Sequence, residues 1–406
     1  MKVRNKGLLA VLLLALVLVL AACGSGSGDD DDDSGSSGEA STDEPITLGF
    51  AIGESGFMAP FDEPAKVAAE FAIEDINADG GASGRTFETI SANTKSKPEL
   101  SGDAATQVLD EGADIVVTSC DFDQGSPAAL VAQDAGVLAF STCAASTAFG
   151  PQGIGPLAFT MATAAPAEGA TMAEWAYETK GWKNGASLLD DTIEFTKQSN
   201  YGFVERFKEL GGNIVAEETF KQEDQSIASQ INAIKKANPD FVYLASYMPG
   251  QASAMKQMRA AGIDVPILAD EDIDGDYWKE SVPGISDVYY STYASIYGDD
   301  PDPTVNELVD RYEESEGGLP DNAAFLTGYA MVQAIAKAIE GADGSTDGAA
   351  LQEQLESFDD EQFLLPTTFS EEFHITLSRT LRVLEIQNEK TKFLEEWTPE
   401  EVPIPE

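Results

Sequence analysis

Short apolar runs rich in β-branched and aromatic residues alternate along this chain with longer segments in which apolar residues recur every three or four positions. Residues 46–51 are predicted to form a buried strand, and apolar residues then recur at helical spacing from Ala68 to Ile76. We expect that helix to begin near Pro64, because proline favours the first turn, and to end at Gly80 and Gly81. Strands that are each followed by a helix pair in parallel, with helices on both faces. The chain is therefore predicted to be an α/β protein.

The same alternation continues through two halves of similar spacing. Further strands are predicted at 86–92, 114–118 and 137–141, and then at 186–189, 213–219, 241–245 and 265–269. Helices are predicted between them at 99–111, 127–134, 165–180, 196–210, 227–237 and 251–261. Four strands in each half predict two similar Rossmann-like lobes with parallel sheets, and ligands of such sheets lie at the carboxyl ends of the strands.

The last third of the chain is predicted to return to both lobes. It contains a strand at 288–293, helices at 303–316, 321–339 and 349–358, and a β segment with strands at 381–387 and 392–397. We assign an N-terminal lobe to 45–163 plus 294–378, a C-terminal lobe to 164–293 plus 379–399, and a tail to 400–406. Several crossovers between the lobes would form a hinge.

The N-terminus has the pattern of an export signal. Lys2, Arg4 and Lys6 precede an apolar run that is shorter than the ~20 residues of a membrane-spanning helix. The run ends at Leu20-Ala21-Ala22-Cys23, which resembles the lipobox of bacterial lipoproteins. The resemblance implies a signal peptide at 1–22 and a lipid on Cys23, although a cleaved signal with an incidental cysteine is the alternative. Residues 24–44 are small, polar and acidic, so 23–44 is predicted to be a disordered tether.

The charge of the chain excludes several functions. The sequence has 71 acidic and 24 basic residues and a net charge of −47. No basic stripe exists that could displace counterions from nucleic acid, and acidic protein does not dock on anionic lipid. Enzymes that depend on histidine are also disfavoured, because the only histidine, His374, lies in a β-rich segment and is expected to be structural. We therefore predict no enzymatic activity, no cofactor and no metal.

Several motifs, in combination and in order, resemble the branched-chain amino-acid-binding family, the type I extracytoplasmic solute-binding proteins of ABC importers. The most specific is the first-helix signature from Ala72 to Gly81, followed by Ser83 and Gly84. The others are Asp190-Asp191-Thr192, Leu210-Gly211-Gly212, residues 240–243 and residues 259–262. The resemblance covers the chain after the tether and implies a two-lobed binding protein that holds its ligand in the cleft between the lobes.

The resemblance implies a ligand site built from loops that follow the strands. In the N-terminal lobe Phe61 matches an aromatic lid, with packing beneath the loop as the alternative. Phe122 would be an apolar wall, and Ala144 and Ser146 match a loop that clamps the ligand, unless Ser146 only caps a helix. In the C-terminal lobe the matching residues are two aromatic walls, Phe195 and Tyr247, and one acid, Glu271. Either Glu271 or its neighbour Asp272 would meet a positive or hydrogen-donating group of the ligand.

Two features of these loops depart from the family pattern. Relatives place a serine near position 121 to meet the ligand carboxylate, whereas this chain has Asp121 and Asp123. Either these acids face away from the cleft or the ligand is not a simple amino acid. The spacing of Asp270, Asp272 and Asp274 also resembles half of a calcium loop, but the later ligand position does not fit.

Two cysteines remain once Cys23 carries lipid. Cys120 and Cys143 follow consecutive predicted strands, and an even pair in an oxidising compartment indicates a disulfide, with two buried thiols as the alternative.

These observations together predict a lipid-anchored, extracytoplasmic substrate-binding subunit on the outer face of a bacterial membrane. It would be a monomer that captures a small polar solute, such as an amino acid or amide, and delivers it to an ABC permease and ATPase. A surface lipoprotein that senses a ligand and signals through a membrane partner is the alternative.

The lipobox leads to a direct prediction. Cys23→Ser is expected to release the protein from cells, because the acyl chains would be its only anchor. Detergent partitioning measures this: wild-type protein should enter the detergent phase and the variant should stay in the aqueous phase. Mature wild-type protein found wholly in the aqueous phase would exclude the anchor.

Overall fold

A computed structural model describes residues 44–405 of the chain. The predicted signal peptide, Cys23 and all but the last residue of the predicted tether lie outside the described residues. Within 44–405 no helix combines the length and apolar character needed to cross a bilayer.

The described residues fold into two α/β lobes. The strands are β1 (Ile46–Ile52), β2 (Phe87–Asn93), β3 (Ile115–Thr118), β4 (Leu138–Ser141), β5 (Ala158–Thr160), β6 (Asn184–Asp190), β7 (Asn213–Phe220), β8 (Phe241–Ala245), β9 (Ile267–Ala269), β10 (Val288–Thr292), β11 (Leu381–Gln387) and β12 (Lys390–Trp397). The helices are α1 (Ala59–Ala78), α2 (Pro98–Asp110), α3 (Phe122–Ala135), α4 (Ala165–Glu178), α5 (Glu194–Glu209), α6 (Ala228–Ala237), α7 (Gly250–Ala260), α8 (Pro303–Glu316), α9 (Phe325–Gly341) and α10 (Gly348–Glu356).

Each lobe is built on one sheet. The N-terminal sheet has five parallel strands in the order β2-β1-β3-β4-β5. The C-terminal sheet has seven strands in the order β12-β11-β10-β9-β8-β6-β7, in which β6 to β10 are parallel and β11 and β12 are antiparallel additions. Apolar clusters lie on both faces of each sheet, as expected for strands covered by helices on both sides. The predicted α/β fold with two lobes is therefore confirmed.

The predicted count of four strands in each half is wrong. The sequence prediction missed β5, which has only three residues and therefore gives too short a pattern to detect. The terminal β segment adds β11 and β12 to the C-terminal sheet, because β11 pairs directly with β10.

Two helices begin about five residues earlier than predicted, and both starts shape the cleft. Helix α1 begins at Ala59, so Pro64 lies inside it rather than in its first turn. A proline cannot donate to the carbonyl four residues before it, and here Asn322 Nδ2 donates to the Pro60 carbonyl instead, at 2.8 Å. Helix α3 begins at Phe122 rather than near Pro127, because the Asp121 side chain accepts a hydrogen bond from the Gln124 backbone N–H.

Three chain segments cross between the lobes and contact one another. The Thr163 backbone N–H, in the first crossing, donates to the Tyr293 hydroxyl in the second, at 3.1 Å. The Ala164 N–H donates to the Thr376 carbonyl in the third crossing, at 3.0 Å. The lobe boundaries near 163, 293 and 378 stay predictions, and residues 163 and 293 take part in these contacts. The predicted tail meets the C-terminal lobe, where Glu400 N–H donates to the buried Glu174 carboxylate.

Helices α4 and α5 approach closely because each carries a glycine, Gly169 in α4 and Gly202 in α5, that packs against the backbone of the other helix. A methyl group on Gly202 would overlap the Pro166 carbonyl, and one on Gly169 would overlap the Ser199 carbonyl. This contact fixes α5, whose first turns carry residues of the interlobe cleft.

Gly202→Ala is expected to lower the free energy of unfolding by about 1–3 kcal/mol, because the two helices must separate to admit the methyl group. Gly102→Ala is the matched control, since its nearest neighbour would be Val131 Cγ2 at an ordinary 3.5 Å. Chemical denaturation should show the loss for the first variant and no loss for the second. Equal stabilities would contradict the assigned role of the α4–α5 contact.

Candidate ligand-binding site

A small cavity lies where the carboxyl ends of both sheets meet between the lobes. Its volume is about 30 Å³. Loops after β1, β3 and β4 line it from the N-terminal lobe, and loops after β6, β8 and β9 line it from the C-terminal lobe. The lining residues are Phe57, Met58, Phe61, Cys120, Asp121, Cys143, Ala145, Ile193, Phe195, Tyr247, Met248, Glu271 and Asp272. Small-molecule sites measure roughly 300 Å³ or more, so this cavity is narrow for a solute as it stands. The structure therefore shows the lobes closed on each other.

Five of the eight residues predicted to bind ligand lie around this cavity. Phe61 is in the first turn of α1, Phe195 is near the start of α5, and Tyr247 follows β8. Glu271 and Asp272 follow β9 in a single 3₁₀ turn. They meet because the carboxyl ends of parallel strands share one edge of each sheet. Their contact with a ligand stays a prediction.

Three predicted residues lie elsewhere. Phe122 is not in the cavity wall, because α3 already begins there and its ring packs edge-on against Phe149, with centroids 6.5 Å apart. Ala144 is fully buried in the apolar cluster on one face of the N-terminal sheet.

Ser146 joins the two lobes rather than facing the cavity or capping a helix. Its Oγ accepts a hydrogen bond from Gln198 Nε2 of α5, at 3.0 Å. Gln198 Oε1 in turn accepts from the Thr147 backbone N–H, at 3.0 Å. The loop after β4 is therefore held to the first turns of α5 in the opposite lobe.

Asp121 and Asp123, which the sequence left with two alternatives, differ in orientation. Asp121 lines the cavity. Asp123 points away from it, and its Oδ2 accepts a hydrogen bond from the Glu194 backbone N–H at 2.8 Å. Glu194 is the first residue of α5, whose N-cap residue Ile193 has no side-chain acceptor of its own. Asp123 thus caps a helix of the opposite lobe, where the helix dipole favours a negative charge.

The disulfide forms the N-terminal wall of the cavity. Cys120 and Cys143 are bonded across 23 positions of sequence, with Cα atoms 4.4 Å apart. Both cysteines line the cavity and lie after adjacent strands β3 and β4. Constraining the unfolded chain in this way contributes on the order of 3 kcal/mol.

Asp62, which no sequence motif singled out, anchors the same wall of the cavity through three hydrogen bonds. One of its oxygens, Oδ2, accepts hydrogen bonds from Gly53 N–H at 2.7 Å and Ser119 Oγ at 2.6 Å, and Oδ1 accepts from Cys120 N–H at 2.7 Å. The side chain is 1% exposed, so burial raises the pKa of Asp62 to about 6 although these hydrogen bonds lower it. The loops after β1 and β3 are thereby fixed to the first turn of α1.

Acidic side chains dominate the electrostatics of the cavity. Three of its lining residues are acids and none is Lys, Arg or His. Behind Glu271 lie two further buried acids, Asp270 and Glu168, and Glu168 Oε2 accepts a hydrogen bond from the Glu271 backbone N–H at 3.2 Å. Within residues 44–405, one carboxylate oxygen of each of these four C-terminal-lobe acids is buried without a hydrogen-bond donor: Glu168 Oε1, Asp270 Oδ1, Glu271 Oε2 and Asp272 Oδ2.

Burial raises the pKa of all five of these acids, Asp121, Glu168, Asp270, Glu271 and Asp272, and the charge of neighbouring acids adds to it at most of them. Burial, followed by the charge of Glu271, raises the pKa of Glu168 well above its ordinary value, and burial followed by Asp270 does the same for Glu271 and Asp272. Burial and then the charge of Asp123 raise the pKa of Asp121 to about 7. Asp121 also raises the pKa of Asp272 across the cleft.

One buried cation lies beside the cluster. Arg379, on the third crossing segment, donates from Nη1 to the Met161 carbonyl at 2.9 Å, and its charge lowers the pKa of Glu271. Burial lowers the pKa of Arg379 itself to about 10. A single guanidinium does not balance the acids that surround the cavity.

The calcium alternative does not fit these contacts. Asp274 uses both oxygens in hydrogen bonds, to Tyr290 Oη at 2.7 Å, Thr292 Oγ1 at 3.1 Å and the Ala323 N–H at 2.8 Å. Across the part of the chain that the structure describes, no three Asp, Glu, His or Cys side chains are grouped so as to hold a metal ion.

His374 lies in the N-terminal lobe, fully buried and stacked on Phe159 with ring centroids 3.7 Å apart.

The raised pKa of Asp121 leads to a prediction for the pH dependence of stability. The closed native protein keeps a proton on Asp121 up to about pH 7, whereas the unfolded chain releases it with the ordinary pKa of 3.8. The free energy of unfolding should therefore fall as the pH rises from about 5 to about 7, by at most about 1.4 kcal/mol per pH unit from this group.

Asp121→Asn should flatten part of that slope while preserving the helix cap, because asparagine caps as well as aspartate. Denaturant titrations at several pH values measure the slope, and Asp103→Asn, on an exposed face of α2, controls for the loss of one negative charge. A slope that Asp121→Asn leaves unchanged would contradict the burial of a protonated carboxyl group there.

Comparison with known proteins places this fold and cleft in a family. A family model described as "Periplasmic binding protein" matches residues 45–391. In sequence the chain is similar to the Leu/Ile/Val-binding protein of Escherichia coli K12, with 22% identity over 332 residues that span 81% of this chain and 87% of that protein.

Two solved structures share the fold. One is the substrate-binding protein LivJ of a branched-chain amino acid transporter of Streptococcus pneumoniae, in complex with isoleucine, with a TM-score of 0.75, 21% identity and coverage of 87% of this chain and 100% of that one. The other is an ABC-transporter solute-binding protein of R. palustris in complex with 4-hydroxybenzoate, with a TM-score of 0.75, 17% identity and coverage of 88% and 98%. The chain belongs to the periplasmic binding protein family, the extracytoplasmic solute-binding proteins of transport systems, which are not enzymes.

Proposed function

We propose that this chain is the lipid-anchored substrate-binding subunit of an ABC importer, and that it captures a small polar solute with a positive or hydrogen-donating group in the interlobe cavity. The observation that carries the proposal is the lining itself, which has acids from both lobes, aromatic walls and no base. A charge-assisted hydrogen bond to a buried carboxylate contributes roughly 1.5–3 kcal/mol and fixes the orientation of the ligand.

The contacts around the cavity support capture by closure of the lobes. Phe57 of the N-terminal lobe meets Tyr247 of the C-terminal lobe, with ring centroids 5.8 Å apart. The Ser146–Gln198 and Asp123–Glu194 hydrogen bonds join the lobes beside it. A solute enters when these contacts separate at the hinge, and it favours the closed state by bridging both lobes.

The fold of this family does not determine which solute a member binds. The relatives include a protein named for binding leucine, isoleucine and valine and one solved with 4-hydroxybenzoate, so one scaffold holds chemically different solutes. In this chain Asp121 and the Cys120–Cys143 disulfide occupy the wall where the family resemblance implies a serine for the ligand carboxylate. An amide or an amine therefore suits the cavity better than leucine, whose carboxylate would meet Asp121.

The test is a thermal-shift screen of amino acids, amides, amines and aromatic acids, followed by calorimetry. We expect weak or no binding of leucine, and a loss of at least about 1.5 kcal/mol in binding free energy for the true ligand in Glu271→Ala/Asp272→Ala, because a charge-assisted bond is removed. Glu313→Ala/Glu314→Ala, on the exposed face of α8, is the control that removes the same charge.

Two results would count against the proposal. Micromolar binding of leucine would show that Asp121 does not exclude a carboxylate. Unchanged affinity in the Glu271→Ala/Asp272→Ala variant would remove the acids from the site.

A further inference from the structure

We infer that the solute carries two ammonium groups and no carboxylate, one ammonium bound by Glu271 and Asp272 of the C-terminal lobe and the other by Asp121 of the N-terminal lobe. This inference rests on the proposed function and names its substrate class, an alkane diamine or a close relative of one.

The first reason is the unsatisfied acceptors. Glu271 is 5% exposed, and its Oε2 receives no hydrogen bond within the described residues. The neighbouring Asp272 Oδ2 is also buried without a donor. Buried acceptors are nearly always paired in folded proteins. An ammonium group offers three N–H donors and a positive charge, so it supplies what both oxygens lack.

The second reason is that acids face the cavity from both lobes. Asp121 belongs to the loop after β3, whereas Glu271 and Asp272 follow β9. Asp121 is 6% exposed, and its Oδ1 accepts a hydrogen bond from the Gln124 N–H of its own helix. A monoamine held by Glu271 and Asp272 would leave Asp121 either protonated or buried without a counter-charge when the lobes close. A second ammonium neutralises both walls at once.

The third reason is the apolar surface between the acids. Phe57, Phe61, Phe195 and Tyr247 line the cavity alongside them. Methylene groups of a diamine can pack on these rings, and aromatic faces attract the adjoining ammonium groups. A carboxylate in the same place would be surrounded by three acids without a base in the wall.

Binding of such a solute should release protons. The pKa of Asp121 responds to Asp123, to Asp62 and to the Gln124 and Asp123 N–H groups. The groups that surround Glu271 and Asp272, and act on their pKa values or share their environment, are Asp270, Asp274, Asp190, Glu168, Tyr293 and Arg379. Acids outnumber bases in this set, so the empty closed cleft holds protons that a dication displaces. Affinity should therefore rise with pH, by about tenfold between pH 6 and pH 8 for each proton released from a group that titrates near 7.

Titration calorimetry with α,ω-diaminoalkanes of three to six carbons tests the inference. At pH 8 the best diamine should bind at least about tenfold more tightly than butylamine, and leucine should not compete with it. The permethylated diamine keeps both charges but has no N–H donors, so it should bind about tenfold more weakly than its parent. Buffers of different ionisation enthalpy should report proton release.

Asp121→Asn locates the second ammonium. It should reduce diamine affinity to about that of butylamine and change butylamine affinity by less than about threefold, because only the diamine reaches the N-terminal wall. Thermal melts establish that the variant folds, and Asp103→Asn on α2 is the charge control.

The outcomes separate this inference from the function on which it rests. If no diamine binds more tightly than butylamine, or if Asp121→Asn weakens both equally, the inference is wrong. Binding of a carboxylate-bearing solute that depends on Glu271 and Asp272 would leave the proposed function in place and overturn the dication. If no small solute of any class binds, both are wrong.

Discussion

The constraint on which the rest of the structure depends is the burial of carboxyl groups between two lobes. Glu168, Asp270 and Glu271 are at most 5% exposed, and Asp121 faces them from the other side of the cavity. Burying an unpaired carboxylate is far more unfavourable than burying a neutral acid, so these groups must be protonated or meet a cation when the lobes close. Closure of the lobes is thereby coupled to the uptake of protons or of a cation.

Within each lobe, the scaffold beneath the acids is held together by contacts of its own. On the N-terminal side, Asp62 and the Cys120–Cys143 disulfide fix the loops after β1, β3 and β4 to one another. On the C-terminal side, the close contacts of Gly169 and Gly202 between α4 and α5 fix α5, which carries Phe195. Each wall of the cavity is therefore rigid within its own lobe. Beside the cavity, the lobes are joined by the Ser146–Gln198 and Asp123–Glu194 hydrogen bonds and the Phe57–Tyr247 pair, contacts that can separate and form again.

Sequence reasoning reached the fold because alternation of strands and helices is a strong, repeated signal. It found most elements, but it missed the three-residue strand β5 and began α1 and α3 too late, since prolines inside helices read as starts. The site was partly predictable, because residues that follow parallel strands converge, as Tyr247 and Glu271 do. The positions of Phe122 and Ser146 away from the cavity wall, and the omission of Asp62, have one physical cause. Their orientation depends on contacts with residues distant in sequence, such as the Asp62–Ser119 hydrogen bond across 57 positions, and no local pattern records those contacts.

The central claim is that the buried acids oppose closure until protons or a cation neutralise them, and small-angle X-ray scattering tests it most directly. The radius of gyration should be larger at pH 8 without solute than at pH 5.5, because ionised carboxylates hold the lobes apart. Adding a diamine at pH 8 should bring it down to the low-pH value, while butylamine or leucine should not. A radius of gyration that is the same at both pH values and does not respond to any cationic solute would contradict the account.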